Sequence, residues 1–425
     1  MIWLVIVLFL LIILRIPIAF SLGFVSILGI LLISPSLLIN VPRHIFGGID
    51  NFTLVAVPLF ILAGEIMTKG GISKRLIDFS KTIVGPLPGG LAMVVVLASI
   101  FFSALTGTAI AAAAAIGGMM IPAMNKEGYD VRFSSSLVAS AATIGPIIPP
   151  SIVLILYGVI ASVSIGDLFI AGVIPGLLMG IGLMGYSYYI GKKNGYRSSD
   201  KRASFVEVMS GIKDAILALI MPIIIIGGIV SGIFTATESG VIAVVYALII
   251  GLFVYKEITI KDLLPIVLHT AKTTATIVFL IGSASLFIWF LSYNSIPNQL
   301  IEMMGGISEN PLVLLFIINV ILLIAGTFID TISAVSIFTP LFFPLVSAAG
   351  IDPVHFGIVM AVNLTIGMVT PPLGVCLFVT SSIAKIKVPK MFTYLMPQII
   401  ILLFILLVIT YIPDLILFPV NLFHS

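Results

Sequence analysis

Thr143-Ile-Gly-Pro-Ile-Ile-Pro-Pro-Ser151 interrupts an otherwise apolar stretch, and how it is read decides the fold. Its three prolines lack backbone donors and clash with the preceding turn, and its glycine adds freedom, so a helix through here must break. The pattern returns as Thr365-Ile-Gly-Met-Val-Thr-Pro-Pro-Leu373, with Pro149 matched by Pro371, 222 positions later. The same offset relates Pro122 to Pro344, Gly128 to Gly350, Asp130 to Asp352 and Pro175 to Pro397. Broken apolar helices at corresponding places in two halves of a chain point to a transporter's solute site.

Composition sets the surroundings. The 425 residues are 60% hydrophobic and 9% charged, with a mean hydropathy of +1.31. Apolar runs near or above ~18 residues recur, the length that reads as a membrane span. The expected fold is an all-α polytopic membrane protein. Residues 2–14 lack a charged leader and a small-residue cleavage site, so they are expected to be a retained span. The single cysteine, Cys376, excludes an internal disulfide and a thiolate metal cluster.

Outward from the breaks, each half divides into five spans and one hairpin. The first half has spans at 2–14, 17–33, 53–67, 133–162 and 168–190, a polar connection from Ser34 to Asn51, and an amphipathic helix over 70–84. Ile72, Leu76, Phe79 and Ile83 form the apolar face of that helix, which is expected to lie in the membrane interface. Residues 91–123 are 33 uncharged residues interrupted by Ser103-Ala-Leu-Thr-Gly-Thr108. Each arm of roughly 14 residues reaches only ~21 Å at 1.5 Å per residue, short of the ~30 Å hydrocarbon core. A hairpin that enters and returns fits better, with its polar tip buried against protein or a water-filled cavity.

The second half repeats this with spans at 215–230, 239–255, 264–291, 354–384 and 391–418, an interfacial piece at 297–304, and a hairpin over 312–345 turning at Gly326-Thr-Phe-Ile-Asp-Thr331. Five spans per half is an odd number, which predicts inverted repeats. Positive-inside bias agrees: with the loop carrying Lys192, Lys193, Arg197, Lys201, Arg202 and Lys213 in the cytoplasm, 19 of 20 Lys and Arg fall on that side, and both termini face outward. Only Arg43 falls outside.

The chemistry is expected at the four mid-membrane interruptions. Unwound helix ends present bare carbonyls, and with Ser and Thr hydroxyls these make hard-oxygen cages for a small cation such as sodium. Helix N-termini attract a carboxylate. The candidate sodium ligands are Ser103, Thr106, Thr108, Gly145 and Pro149 in the first half, and Gly326, Thr327, Asp330, Gly367, Thr370 and Pro371 in the second. Ser103, Thr108, Ser151, Asp330 and Thr331 are the candidate solute contacts. Asp330 stands out because a carboxylate at membrane depth is costly; holding the tip together is its competing role. Glu65 and Glu238 are read as structural charges, and His269 and Lys272 as side chains snorkelling at a cytoplasmic boundary. The Ala111–Ala115 run is read as a close-packed hairpin arm.

The whole chain resembles the large membrane subunit of the tripartite ATP-independent periplasmic (TRAP) transporters. Pro58-Leu-Phe-Ile-Leu-Ala-Gly-Glu-Ile-Met67, Ser103-Ala-Leu-Thr-Gly-Thr108, Ile144-Gly-Pro-Ile-Ile-Pro-Pro-Ser151, Gly232-Ile-Phe-Thr-Ala-Thr-Glu238 and Thr370-Pro-Pro-Leu-Gly374 carry the resemblance. Ala236 stands where the family usually has proline. The resemblance implies sodium-driven uptake of a carboxylate-bearing organic anion across the bacterial inner membrane, with sialic acid slightly favoured and a C4-dicarboxylate next. It implies a small four-span membrane subunit and a periplasmic binding protein as partners, no cofactor beyond coupling sodium ions, and no nucleic acid. It also implies an elevator-like, ion transporter superfamily-like fold. Residues 87–190 and 311–401 would then form the moving transport domain, with 1–86 and 191–310 as scaffold and 402–425 completing the last span. A free-standing sodium/dicarboxylate symporter is the nearest alternative. An intramembrane aspartyl protease would want a second deep carboxylate, a serine hydrolase a mid-depth base, and a passive channel would not need paired broken repeats.

Overall fold

The computed structural model describes residues 3–14, 16–196, 205–296, 299 and 310–424. Arg15, the loop residues Arg197, Lys201 and Arg202, and the interfacial piece at 297–304 apart from Gln299 lie outside the described residues. Every regular element among the described residues is helical. In chain order these are α1 (Trp3–Ile13), α2 (Ile18–Ile33), α3 (Asn40–Ile49), α4 (Ala56–Lys69) and α5 (Ile72–Val84). The first hairpin is α6 (Gly90–Thr106) and α7 (Ala109–Lys126), and the first broken helix is α8 (Val131–Ala142) and α9 (Ile152–Ala161). There follow α10 (Ile165–Asn194), α11 (Phe205–Val230), α12 (Ala236–Ile249) and α13 (Ile260–Tyr293). The second hairpin is α14 (Pro311–Gly326) and α15 (Thr331–Ala348), the second broken helix α16 (Pro353–Gly367) and α17 (Val375–Ala384), and the chain ends in α18 (Phe392–Tyr411) and α19 (Asp414–His424). Seven helices among the described residues are long and apolar enough to cross a membrane.

Both expected breaks are present. Helix α8 stops at Ala142 and α9 resumes at Ile152; α16 stops at Gly367 and α17 resumes at Val375. Pro149-Pro150 and Pro371-Pro372 are both cis. The equivalent residues Asp130 and Asp352 each cap the helix that leads into a break, accepting from the Arg132 amide at 2.8 Å and the His355 amide at 2.9 Å. Such caps satisfy amides that a helix start leaves without partners.

Packing follows the repeat. The returning arm of the first hairpin, α7, lies against α17, and the returning arm of the second, α15, lies against α9. Likewise α8 packs on α18 and α16 on α10. Each half of the broken-helix layer is therefore closed by the other half. Buried polar pairs pin these crossings: the Ser140 hydroxyl donates to Gln398 Oε1 at 2.7 Å, and Gln398 Nε2 donates to the Ser136 hydroxyl at 3.2 Å. A second group, α1–α5 with α11–α13, packs mainly within itself and meets the first through α4, α5, α11 and α13.

Three sequence readings change. The connection from Ser34 to Asn51 contains a helix, α3, whose Val41, Ile45 and Ile49 recur at helical spacing. It lies so close to α13 that a Cβ on Gly282 would sit 3.1 Å from an Ile45 methyl, and His44 stacks on Trp289 at 4.6 Å. In α5, Ile83 is 45% exposed, while Ile77 joins Ile72, Leu76 and Phe79 on the buried face, because the helix packs sideways against both α6 and α11. The span read as 391–418 ends at Tyr411; the Ile412-Pro413 pair stops it, and α19 starts afresh at Asp414.

Candidate functional site at the hairpin tips

A cavity of about 630 Å³ lies where both hairpin tips face α4 and α13. Each tip is seated on the break of its own half by backbone contact. Gly107, at φ +62°, ends α6, and a Cβ there would lie 2.6 Å from the Pro150 carbonyl oxygen. A Cβ on Gly145 would lie 3.0 Å from the Thr108 carbonyl oxygen. In the second half the two glycine backbones meet directly: a Cβ on Gly367 would lie 2.5 Å from the Gly326 carbonyl carbon. The Gly374 amide donates to the Thr327 carbonyl at 3.3 Å, and the Thr331 hydroxyl to the Met368 sulfur at 2.9 Å. The sequence could place these residues at breaks; the structure brings each tip and break into contact.

The residues proposed from sequence separate into two layers. Thr106, Thr108, Asp330 and Thr331 line the cavity. Ser103, Gly145, Pro149, Ser151, Gly326, Thr327 and Gly367 are buried outside its lining, and Thr370 and Pro371 are half-buried there too. Several hydroxyls in these layers donate back to their own helix: Ser103 to the Ser99 carbonyl, Thr106 to Phe102 at 3.3 Å, Thr327 to Ile324 at 2.7 Å and Thr370 to Ile366 at 2.8 Å. Ser151 donates to the Pro146 carbonyl and accepts from the Leu154 amide at 3.2 Å, capping α9. A hydroxyl that donates to a carbonyl keeps lone pairs free, so back-bonding leaves a cation a hard oxygen to bind.

The two tips differ electrostatically. Helix α7 begins at the cavity with Ala109, Ile110 and Ala111 in the lining, and the Thr108 side chain makes no capping bond. Its first-turn amides and the positive end of its dipole face the space. The start of α15 is capped instead by Asp330, whose carboxylate accepts from the Ser333 amide at 3.1 Å. The alanine run also differs from a purely packed arm: Ala112 and Ala113 are buried, but Ala111, Ala114 and Ala115 face the cavity, where small side chains leave room.

The opposite wall was not legible from sequence. It carries Glu65 and Thr68 from α4 with His269 and Thr273 from α13. Glu65 Oε1 lies 3.3 Å from His269 Nδ1. His269 therefore lines the cavity, its third-turn position on α13 lying beside α4. Lys272 is exposed. A carboxylate inside an apolar span was the available signal at Glu65. Glu238 is the N3 residue of a capping box with Thr235, its carboxylate accepting from the Thr235 amide at 2.8 Å and from the Thr235 hydroxyl at 2.9 Å.

Residues 5–415 match the family model described as the tripartite ATP-independent periplasmic transporter, DctM component. The chain belongs to this family. It is 40% identical over 398 residues to the sialic acid TRAP transporter large permease protein SiaM of Vibrio cholerae, covering 94% of this chain and 93% of that one. It is also 40% identical to the isethionate TRAP transporter permease protein DctMQ of Oleidesulfovibrio alaskensis, covering 94% of this chain but 63% of that longer protein. The C4-dicarboxylate TRAP transporter large permease protein DctM of Pseudomonas aeruginosa is 39% identical, with 92% of each chain covered. Among solved structures, the Alcanivorax borkumensis YdaH transporter shares the fold with a TM-score of 0.63 at 15% identity, covering 89% of this chain and 88% of that one. This permease is thus a multi-pass inner-membrane transport protein and not an enzyme.

Proposed function

We propose that this permease takes up a carboxylate-bearing organic anion, coupled to sodium, with the solute seated between the two hairpin tips. The observation that carries the reading is the uncapped start of α7 opening into a cavity shared by both tips. An anion gains there from amides and dipole together. The carbonyls and back-bonded hydroxyls around Ser103, Thr106, Gly145 and Pro149, and around Thr327, Asp330, Gly367 and Thr370, supply oxygens for sodium on either side. Sodium would offset the charge of Asp330 and of the incoming acid in a partly apolar space.

The packing of α6–α10 with α14–α18 supports a transport domain moving as one body against a scaffold of α1–α5 and α11–α13. The solute would change sides by rigid-body alternating access. The odd number of spans per half and the charge bias support inverted halves with outward termini. A small membrane subunit and a periplasmic binding protein complete the transporter, as in other large permeases of the family. Relatives of nearly equal identity are named for different solutes, so the anionic group is the common requirement; sialic acid leads, then a C4-dicarboxylate.

The test is uptake into proteoliposomes holding this chain and its small membrane partner. Labelled sialic acid and succinate are supplied with and without an inward sodium gradient and the binding protein. Uptake that needs both supports the reading. Sodium-driven uptake without the binding protein would make this a free-standing symporter, and sodium-independent movement would remove the cation sites.

A further inference from the structure

Among the described lining residues of the cavity three side chains can titrate: Glu65, Asp330 and His269. Two are acids, so His269 is the one that can offer positive charge to an anion there. Its Nδ1 faces Glu65 at 3.3 Å, and its side chain is 62% exposed. The pair also sits beside the first tip: a Cβ on Gly64, next to Glu65, would lie 2.9 Å from the Leu105 carbonyl oxygen near the end of α6.

We propose that His269 is a second seat for the solute's carboxylate, on the wall facing the hairpin tips, and that Glu65 orients it. The inference rests on the anion-transport reading above. With Nδ1–H donated to Glu65, a neutral ring presents Nε2 only as an acceptor; the imidazolium donates from both nitrogens. A carboxylate arriving at Nε2 therefore binds with a proton on the ring. The acid leaves the dipole at α7 for a charge-assisted hydrogen bond on the opposite wall. The other charged groups on the elements around His269 are Lys69 on α4, Asp330 at the second tip, Arg43 and His44 on α3, and Lys261, Asp262 and Lys272 on α13 itself. Glu65 is the one in direct contact.

Proton-linked binding at this seat makes affinity fall by up to about tenfold per pH unit once the ring is neutral in the free protein. The experiment uses the complete transporter in proteoliposomes, with labelled sialic acid and succinate, and whichever acid the wild type moves becomes the probe. Half-saturation is measured from the lumenal face by exchange and from the outer face by binding-protein-dependent uptake, between pH 6 and pH 8. His269→Gln is expected to raise lumenal half-saturation about tenfold at the lower pH and to flatten its pH slope. His269→Lys is expected to restore affinity with a flat slope, and Glu65→Gln to weaken the lumenal face while sparing the outer one. A merely structural histidine would give neither rescue by lysine nor a one-sided change. A His269→Gln profile superimposable on wild type, or lysine performing no better than glutamine, would overturn the inference alone. Failure of the wild type to move either acid would overturn the anion reading beneath it as well.

Discussion

Thr108 and Asp330 occupy equivalent positions 222 residues apart, each directly before the returning arm of its hairpin, yet only Asp330 caps its helix. The repeat thus builds two like scaffolds and gives them opposite electrostatics. One helix start is left without a side-chain cap, and the other is already occupied by the protein's own carboxylate. Asp330→Asn keeps a capping oxygen and removes the charge, so folding should hold within about 0.5 kcal/mol. The sodium concentration for half-maximal uptake should rise roughly tenfold, as expected when a charged ligand becomes neutral. Uptake measured against sodium concentration checks this; an unchanged sodium curve would confine Asp330 to capping.

Thr108→Asp makes the reciprocal change. A carboxylate at this position should cap α7 and add up to about 1 kcal/mol of thermal stability. The same carboxylate should exclude the solute, so uptake should fall to background while melting temperature rises. Thr108→Asn, which caps without charge, should retain part of the uptake. Loss of stability in Thr108→Asp would show that the open helix start is not available to an anion.

The seating of tips on breaks is a matter of backbone contact. Gly367→Ala puts a methyl 2.5 Å from the Gly326 carbonyl carbon, where no side chain can yield. Overpacking of this kind costs about 1–3 kcal/mol, and the second tip must lift off its break, so uptake should be lost. Gly118 lies within α7 with nothing inside 4 Å of its added Cβ. Gly118→Ala should leave uptake intact and stabilise by roughly 0.5–1 kcal/mol. Thermal melting in detergent and uptake, measured on both variants, separate contact from mere loss of glycine.

These contrasts mark what the sequence could and could not show. Pro149 and Pro371 announce breaks because proline constrains its own backbone, and the 222-residue offset then aligns everything around them. Helix α3 was hidden by Pro42, Gly47 and Gly48, residues that argue locally for a loop; its place against α13 overrides that propensity. Ser103 and Ser151 read as solute contacts by residue type, but whether a hydroxyl faces a cavity or a nearby backbone carbonyl is a matter of tertiary packing. Glu65 and His269 were each visible, yet nothing local to either one reveals a partner in another helix.

Outside the membrane-spanning segments, Asp130 offers a pH test. Arg132 hydrogen-bonds its carboxylate and holds it below the usual carboxylate range, with Tyr394 adding a weaker hydrogen bond. A carboxyl whose pKa is depressed on folding contributes stability above its unfolded value and loses it as pH falls through the folded one. Asp130→Asn should therefore be less stable than wild type near neutral pH, and the gap should close below about pH 4. The pair is partly exposed, so the effect should be at most about 1 kcal/mol. Melting curves of both proteins across that range decide it; a gap that persists in acid would come from packing and not from charge.

Asn363 and Asn319 make a second test of how the broken-helix layer is held. Asn363 Nδ2 donates to the Asn319 carbonyl at 2.9 Å and to Asn319 Oδ1 at 2.7 Å, and Asn319 Nδ2 donates to the Thr410 hydroxyl at 3.1 Å. Replacing either asparagine by leucine leaves the other amide with fewer partners in a buried site, which should cost about 1 kcal/mol. Replacing both removes the stranded groups together, since apolar side chains of like shape need no partners. The double variant should then be no less stable than the worse single one, giving a coupling of about 1 kcal/mol in a double-mutant cycle. Additive losses would mean that the two amides act independently, and that α14 is held to α16 by apolar packing alone.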